Sequence, residues 1–325
     1  MSNPKVSVLI PAYNYAQYLP EAIDSVLAQT FEDFEILIVD NCSTDNTEEI
    51  IMEYLKKDRR IQYFKNEENI GPYRNYNQCL LYASGEYIKF LNADDKFAPT
   101  LLEKFVSILD NNHDIAIITS YRQYFGSKTD ILKTPYKGQV ESKTAILSSL
   151  KYGNWIGEPT TVMFRRKHLN LGLFDISLLP FADQDMWLRH LRVGSLYTID
   201  EVLSYFRIHD EMGTFQISNN KDKRYFNILQ YAEYRRNAIL NHRFGYNLYT
   251  HAPKEARKIL NDATKRIVKL IETKTTSIEP LAYLYRFIIV QKFFQVAITP
   301  DFIYRTYAKL NAVRKTIKAF FKVSK

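Results

Sequence analysis

The N-terminal part of the chain alternates short apolar runs with segments whose apolar residues fall on one helical face. The runs Val6–Ile10 and Glu35–Val39 predict buried parallel strands, because they are short, apolar and rich in β-branched residues. Between them, the spacing of the apolar residues predicts a helix over 18–28, with one buried face made of Leu19, Ala22, Ile23, Val26 and Leu27.

The same alternation continues along the chain. Helices are predicted over 45–56, with Asp45 or Thr44 as N-cap, and over 72–81; strands are predicted over 61–64 and 87–91. This order predicts an α/β fold of the doubly wound, nucleotide-binding kind. Further on, we predict a helix over 100–109, strands over 115–120 and 162–164, and a mobile loop over 126–138.

The glycines exclude two common nucleotide sites. The first predicted strand continues into Pro11-Ala12-Tyr13-Asn14, and no glycine occurs before Gly71. A dinucleotide fold needs Gly-x-Gly-x-x-Gly after this strand, and a P-loop needs Gly-x-x-x-x-Gly-Lys followed by Ser or Thr. A bound nucleotide must therefore be held mainly by side chains and a metal.

Two adjacent carboxylates, Asp94 and Asp95, follow the fourth predicted strand. In open α/β sheets the ligand crevice lies beyond the carboxyl ends of the strands, so these side chains are expected to face it. Hard oxygen ligands suit Mg²⁺ or Mn²⁺, whose remaining positions are filled by substrate phosphates and water. The alternative is an ordinary acidic turn.

Three more side chains at the predicted strand ends suit a nucleotide. Asp40 can accept the N3 hydrogen of a uracil-type base, Tyr13 can stack on a base, and Arg74 can reach a base or a phosphate. Each has an alternative: Asp40 as the cap of the turn that follows it, Tyr13 as a core residue, and Arg74 as a solvated helix residue.

A second acidic cluster lies at Asp183-Gln184-Asp185. The apolar spacing after it predicts a helix that presents Asp183 at its N-terminus. A carboxylate placed there can take the proton of an acceptor hydroxyl, and the alternative is a helix cap. Trp155 and Glu158 are candidates for the acceptor side, with packing and solvation as their alternatives.

Composition narrows the class of protein. The chain has 325 residues and 46% hydrophobic residues, which is enough for a large core. Its two cysteines and six histidines show no zinc spacing and no disulfide pattern. The N-terminus enters a strand pattern with no apolar signal core, so we expect a reducing, cytoplasmic location.

Charge divides the chain in two. Residues 1–219 carry 22 Lys and Arg against 29 Asp and Glu, a balance of −7, whereas residues 220–325 carry 22 against 7, a balance of +15. We therefore predict a catalytic domain over 1–219 and a basic helical extension over 220–325, which would meet any anionic surface.

Three amphipathic or apolar segments form the predicted extension: 254–273, 281–298 and 302–325. The second is too short and too polar to span a bilayer. The helices either pack together or lie in a membrane interface, and for the last helix we favour the interface, peripheral on the inner face of the cell membrane. Nucleic acid is not expected as a partner, because no recognised binding motif is present.

The sequence resembles the family 2 glycosyltransferases of GT-A fold over about residues 4–210. Five ordered motifs carry the resemblance: 6–14, 36–45, 69–75, 90–95 and the acidic cluster at 183–185. Two positions depart from the family pattern: Asn92 stands where Asp is common, and Ala182 stands where Glu is common.

The resemblance implies a role for each matching residue. Asp183 is the expected catalytic base and Asp185 its structural partner, and the metal ligands are expected among Asp94, Asp95 and His209. The nucleotide-sugar donor is expected to contact Pro11, Tyr13, Asp40, Arg74, Asn92 and Asp94.

The expected protein is therefore an inverting, metal-dependent glycosyltransferase with a GT-A fold, a Rossmann-like mixed sheet, and a C-terminal helical extension. Its expected donor is a UDP-sugar and its cofactor Mg²⁺ or Mn²⁺. Its acceptor would be a glycan or a lipid-linked sugar in the synthesis of a cell-surface polysaccharide. The alternative is a catalytically silent protein of the same fold that binds a sugar nucleotide or acts as a scaffold.

Overall fold

The structure is a computed structural model that describes residues 3–209, 230–231, 234–235, 238–239, 243–244 and 252–262. Its first half is a run of alternating strands and helices, as the sequence predicts. The elements are β1 Val6–Ala12, α1 Leu19–Leu27, β2 Phe34–Asp40, α2 Thr47–Lys57, β3 Ile61–Lys65, α3 Pro72–Tyr82 and β4 Tyr87–Phe90. These four strands are parallel and lie in the order β3-β2-β1-β4.

The second half extends the same sheet and makes it mixed. It contains β5 Lys96–Phe97, α4 Leu101–Asn111, β6 Ile115–Gly126, β7 Ile131–Leu132, β8 Gly138–Val140, α5 Ser142–Tyr152, β9 Met163–Arg165, the 3-10 helices Arg166–Leu171 and Ile176–Phe181, α6 Ala182–His190 and β10 Ser195–Ile208. The strand β9 runs antiparallel to both of its neighbours, β4 and β6, and β10 runs parallel to β6. The sheet order is therefore β3-β2-β1-β4-β9-β6-β10-β5.

Both faces of the sheet are covered by helices. Residues such as Val8 and Ile36 pack with α1, α2 and α4 on one face, while Leu9 and Leu37 pack with α3, α5 and α6 on the other. Consecutive residues of one strand point to opposite faces, so strands covered on both faces have no polar alternation. This burial explains why the strands appear in the sequence as continuous apolar runs.

Two local predictions differ from the structure. Helix α2 begins at Thr47 with Asn46 as its N-cap, and the Asp45 carboxylate instead accepts hydrogen bonds from the amide and hydroxyl of Thr47 and from the amide of Ala16. The segment predicted as the loop 126–138 contains β7, which pairs with β6. Sequence missed this strand because it has only two residues, Ile131 and Leu132.

The helical extension can be followed only in part. Residues 253–262 are helical, which agrees with the start of the helix predicted over 254–273. The boundary near residue 219 and the predicted helices 281–298 and 302–325 lie outside the described residues. Within the part of the chain that is described, no helix is long and apolar enough to cross a membrane.

A buried histidine predicts acid sensitivity of the fold. His190 is completely buried against the ring of Phe164, and burial, aided by the neighbouring His168, lowers its pKa to about 3. The unfolded chain would therefore take up a proton below about pH 6.5 that the folded protein cannot, so the contribution of His190 to stability falls as the pH falls. Lowering the pH from 7.5 to 5.5 should cost on the order of 1 kcal/mol through His190.

Urea unfolding at several pH values tests this expectation. The variant His190→Phe should show a flatter dependence of stability on pH than the wild type, and His113→Gln, which changes an exposed histidine, should not. Equal pH dependence in the wild type and in His190→Phe would show that His190 is not responsible.

Candidate active site

The predicted donor residues gather where the parallel strands end. Ala12 of β1 lies beside Asp40 of β2, and Leu9 lies beside Phe90 of β4, so the segments after these three strands leave the same edge of the sheet. Tyr13 is 42% exposed at this edge, as a base-stacking residue would need to be. Pro11 lies one residue inside the end of β1, paired with Val39.

Asp40 is fully buried and holds the turn that follows β2. Its Oδ1 accepts the amide of Ser43 at 2.9 Å, and its Oδ2 accepts the hydroxyl of Tyr63 at 3.1 Å. The turn-capping alternative is therefore present in the structure. It does not exclude contact with a base, because each carboxylate oxygen has a second lone pair.

The loops after β1 and β2 are tied to each other in a strained conformation. Asn14 and Cys42 both have positive φ, 54° and 64°. The amide of Asn14 donates to Ser43 Oγ at 3.0 Å, and the amide of Thr44 donates to Asn14 Oδ1 at 2.8 Å. Such backbone strain persists only where the surroundings enforce it, and it is common at ligand sites. Sequence reasoning missed this tie.

Helix α3 begins beside the end of β2. The side chain of Asn75 donates to the carbonyl of Val39 at 3.0 Å, which fixes the first turn of the helix against that strand. The preceding residue, Arg74, is exposed and forms no ion pair with any residue in the described ranges. A guanidinium in this position can contact an anionic ligand beside Asp40.

Asp94 and His209 form a direct contact at the end of β4. The Nε2 of His209 lies 3.0 Å from Asp94 Oδ2, and both side chains are only 11% exposed. The ring of His209 is fixed between Tyr15 and Tyr18, with centroid distances of 5.6 and 4.8 Å. The structure therefore brings together two residues that are 115 positions apart in the sequence.

Asp95 differs from Asp94, because protein groups bind both of its oxygens. Thr160 Oγ1 donates to Oδ2 at 2.6 Å, and the amide of Arg207 donates to Oδ1 at 2.9 Å. Arg207 also donates through Nε to the carbonyl of Asp94 at 2.8 Å and forms an ion pair with Glu21. Asp95 thus fixes the acidic loop in place, and Asp94 is the better placed of the two to bind a ligand.

The raised pKa values of Asp94 and Asp95 show that a nearby cation would stabilise their ionised forms. Burial raises the pKa of Asp95 well above its usual range, with a further increase from the charge of Asp94. Burial also raises the pKa of Asp94, although its contact with His209 opposes the increase. Two buried like charges and an incoming diphosphate repel one another, and a divalent cation removes that repulsion.

The donor atoms of Asp94 and His209 suit such a cation. A carboxylate oxygen and a neutral imidazole nitrogen are both ligands that Mn²⁺ accepts, and here Oδ2 and Nε2 converge at 3.0 Å. The described segments contain no group of three or more His, Cys, Asp or Glu side chains placed to hold a metal ion, so a bound ion would need further ligands. The site therefore fits Mg²⁺ or Mn²⁺ held by two side chains and completed by diphosphate and water.

Asn92 makes a different contact from the one expected of the family's aspartate. Its Oδ1 accepts the hydroxyl of Tyr76 at 2.5 Å, and its amide donates to Thr160 Oγ1 at 3.1 Å. The hydrogen bond from Tyr76 turns the side-chain oxygen of Asn92 towards α3.

Asp183 is the second residue of α6, as predicted. Its Oδ1 accepts the amide of Gln184 at 2.7 Å, and its Oδ2 accepts Nδ2 of Asn154 at 3.0 Å. Burial, with a smaller contribution from Glu158, raises its pKa to about 7. A carboxylate with this pKa can accept a proton near neutral pH.

Asp185 forms ion pairs with two arginines. It is fully buried and forms ion pairs with Arg189 at 2.9 Å and with Arg243 at 2.5 Å. Arg189 in turn donates to the carbonyls of Leu171, Gly172 and Leu173, which anchors the 3-10 region to α6. These contacts agree with the structural role expected for Asp185.

Glu158 lies on the loop that contacts both acidic centres, because Asn154 donates to Asp183 and Thr160 donates to Asp95. It pairs with Arg122 of β6 at 2.5 Å, and its charge contributes to the raised pKa values of both Asp95 and Asp183. Trp155 packs against Tyr136 with ring centroids 5.2 Å apart and donates from Nε1 to Ser148 Oγ at 3.0 Å. Trp155 therefore has a packing role, while Glu158 remains a candidate for acceptor contact.

Two tyrosines of α3, Tyr73 and Tyr76, lie near the two acidic centres, and sequence reasoning missed them. The ring centroids of Tyr73 and Tyr76 are 5.7 Å apart. Burial raises the pKa values of both tyrosines. The charge of Asp183 adds to the increase at Tyr73, and the charges of Asp94 and Asp95 add to the increase at Tyr76. A spacing of three residues on a helix is a signal, but nothing in it says which acidic residues would be near.

Comparisons with known proteins point to one family. The sequence profile of the family described as glycosyl transferase family 2 matches residues 7–172. An uncharacterized glycosyltransferase of Rickettsia typhi is 35% identical over 221 residues, covering 65% of this chain and 66% of the relative. One of Methanocaldococcus jannaschii is 34% identical over 211 residues, covering 64% and 72%. The matches thus span about two thirds to three quarters of these relatives.

Solved structures share the fold. S. aureus TarS in complex with UDP has a TM-score of 0.60 at 22% identity, over 85% of this chain and 76% of TarS. The mannosyltransferase PcManGT of Pyrobaculum calidifontis, in complex with GDP-Man and Mn²⁺, has a TM-score of 0.55 at 17% identity, over 96% and 85%. These similarities confirm the predicted GT-A fold.

Proposed function

The chain belongs to glycosyl transferase family 2 and is a nucleotide-sugar glycosyltransferase, and we propose that it is an inverting enzyme that uses a UDP-sugar with Mg²⁺ or Mn²⁺. TarS binds UDP and UDP-GlcNAc, and PcManGT binds GDP-Man with Mn²⁺, which supports a nucleotide-diphosphate sugar as donor. The buried Asp40, beside the exposed Tyr13, favours a uracil base, because a carboxylate can accept its N3 hydrogen.

The observation that carries the proposal is the loop 154–160, which contacts two carboxylate centres of different chemistry. Asn154 donates to Asp183 at 3.0 Å, and Thr160 donates to Asp95, in the donor half, at 2.6 Å. One short loop therefore supports both centres, which favours a single substrate pair that contacts both. This arrangement supports a single displacement, in which the leaving diphosphate and the attacking hydroxyl lie on opposite sides of the sugar.

Each centre has its own task in that displacement. A divalent cation held by Asp94 and His209 would supply positive charge to the departing diphosphate. Asp183 takes the proton of the acceptor hydroxyl as the new bond forms, and Asn154 and the amide of Gln184 keep its carboxylate oriented. Attack from the side opposite to the leaving group inverts the configuration at the anomeric carbon.

The pKa of Asp183 predicts how the rate depends on pH. Only the ionised carboxylate can accept the proton, so the rate of transfer should increase as the pH rises through about 7 and then level off. Turnover at saturating donor and acceptor, measured from pH 5.5 to 8.5, checks this expectation. A rate already at its plateau at pH 5.5 would contradict it.

Donor choice and metal dependence can be tested together. A thermal-shift panel of UDP- and GDP-sugars, each with Mn²⁺ or with EDTA, should give the largest shift with a UDP-sugar and Mn²⁺. At a free donor concentration of 100 times Kd, the expected stabilisation is about 2.7 kcal/mol. An equal shift in EDTA would reject the metal, and a larger shift with GDP-sugars would reject the uracil assignment.

The proposed acceptor and location rest on the positive charge of the C-terminal part of the chain. We place the enzyme at the inner face of the cell membrane, transferring to a glycan or lipid-linked acceptor of a cell-surface polysaccharide, because residues 220–325 carry an excess of 15 positive charges. A chain that ends at Asp301 should float less well with anionic liposomes than the full chain. Equal flotation would reject a role for the last segment.

The catalytically silent alternative rests on the departure at Asn92. The contact of Asn92 with Tyr76 weakens this alternative, because it leaves Asp94 and His209 as the metal ligands and does not require a carboxylate at position 92. Slow hydrolysis of the donor in the presence of Mn²⁺ separates the two cases, since a silent protein binds the donor without breaking it.

A further inference from the structure

A groove of about 630 Å³ lies outside the two acidic centres, between α5 and the helix at 253–262. Aromatic side chains lie at one end and along its rim: Tyr136 is partly buried, and Tyr152 is 68% exposed. The remaining lining combines apolar residues with charged ones: Glu141, Lys143, Thr144, Leu147, Ser148, Lys151, Ala252, Pro253, Lys254, Glu255 and Ile259. Its volume lies in the range of ligand-binding pockets.

Three lysines and two glutamates line the groove, and the positions of the two glutamates reduce the effect of their negative charge. Glu141 is the N-cap residue of α5, and Glu255 lies in the first turn of the helix at 253–262. The partial positive charge of a helix N-terminus offsets a carboxylate placed there. Lys151 lies over the ring of Tyr152, with Nζ 4.4 Å from the centroid. The groove therefore presents cations next to exposed aromatic faces.

A short path of contacts joins this groove to Asp183. Trp155 packs on Tyr136 and donates to Ser148, and both of these residues line the groove. The residue before Trp155 is Asn154, which donates to Asp183 at 3.0 Å. These contacts connect the groove to the loop that positions Asp183.

We propose that this groove binds a distal part of the acceptor and selects a glycan that carries negative charge, as phosphate or carboxylate groups. Lys151 and Lys254 pair with the anionic groups, and Tyr152, which is 68% exposed beside Lys151, offers apolar ring surface to a sugar. That this glycan is the acceptor rests on the proposed function, whereas the binding of an anionic glycan does not.

The two tryptophans of the chain provide a local readout. Trp155 contacts Tyr136 and Ser148, two residues that line the groove, whereas Trp187 is completely buried in α6. Tetragalacturonate, an acidic oligosaccharide, should change the tryptophan fluorescence of the full chain in a saturable way, and maltotetraose, a neutral one, should not. The variant Trp155→Phe should lose the signal, which would place the change at the groove.

Charge reversal tests the lysines. The double variant Lys151→Glu, Lys254→Glu should weaken tetragalacturonate binding by roughly tenfold or more. The matched control is Lys56→Glu, Lys57→Glu on α2, where two lysines are exposed and Lys57 also lies over a tyrosine ring. The control should bind as the wild type does, which excludes an effect of net charge alone.

The results separate this proposal from the proposed function. Equal binding of the acidic and neutral oligosaccharides, unchanged affinity in the groove variant, or a signal that persists in Trp155→Phe would overturn the groove assignment. UDP-sugar binding is measured on each variant and should not change. If no nucleotide sugar binds while tetragalacturonate binding still depends on Lys151 and Lys254, the proposed function fails and the groove assignment stands.

Discussion

Replacing Asp183 by asparagine is expected to slow sugar transfer by roughly 10²- to 10⁴-fold, the usual contribution of a general base. The asparagine keeps the size of the side chain and can still accept the hydrogen bond from Gln184 or Asn154, but it cannot take up a proton. Donor affinity should be nearly unchanged, because Asp183 lies at the start of α6 and not among the side chains at the strand ends. Transfer rate and donor affinity are measured on the same preparation.

Asp185→Asn is the matched control, because it makes the same chemical change two residues away. Asp185 is buried between Arg189 and Arg243, and breaking a buried ion pair typically costs about 3–5 kcal/mol. This variant should therefore lose stability in urea unfolding, while the protein that remains folded keeps most of its activity per molecule. If Asp185→Asn abolishes transfer in folded protein and Asp183→Asn does not, Asp185 is the base. If neither variant affects transfer, the proposed mechanism is wrong.

The strand and helix pattern of the fold could be predicted because its cause is local. A strand covered on both faces needs several consecutive apolar residues, as in Val6–Ile10, and the polar residues after it mark the open edge of the sheet. Asp40 is the last residue of β2 and Asp94 lies in the turn after β4, so their position at that edge follows from the order of elements.

The role of each residue within the site could not be predicted, because it depends on contacts between residues that are distant in the sequence. Asp94 and Asp95 are adjacent, and they differ through contacts with distant residues: Asp95 with Thr160 and Arg207, 65 and 112 residues away, and Asp94 with His209, 115 residues away. Likewise, only the hydrogen bond from Tyr76 shows how Asn92 is oriented. Such contacts leave no periodic pattern in one sequence.

Removing the carboxylate of Asp94 should remove the effect of the metal on donor binding. In Asp94→Ala, His209 remains as the one ligand of the proposed pair, and the Mn²⁺-dependent part of UDP-sugar affinity should be lost. Removing a residue that only supports a metal ligand typically lowers metal affinity about 10- to 100-fold. We expect the loss from removing a ligand to be at least as large. Calorimetric titration of the donor in Mn²⁺ and in EDTA measures the difference.

The matched variant Asp95→Asn separates ligation from support. Thr160 and the amide of Arg207 already donate to the two oxygens of Asp95, so an amide there loses one of these hydrogen bonds and should lower stability. It should nevertheless keep a donor affinity that increases with Mn²⁺, because Asp94 and His209 remain. If Asp94→Ala still responds to Mn²⁺ while Asp95→Asn does not, Asp95 is the ligand. The contact of Asp94 with His209 would then be only a hydrogen bond, as would be expected of a histidine that fixes the loop.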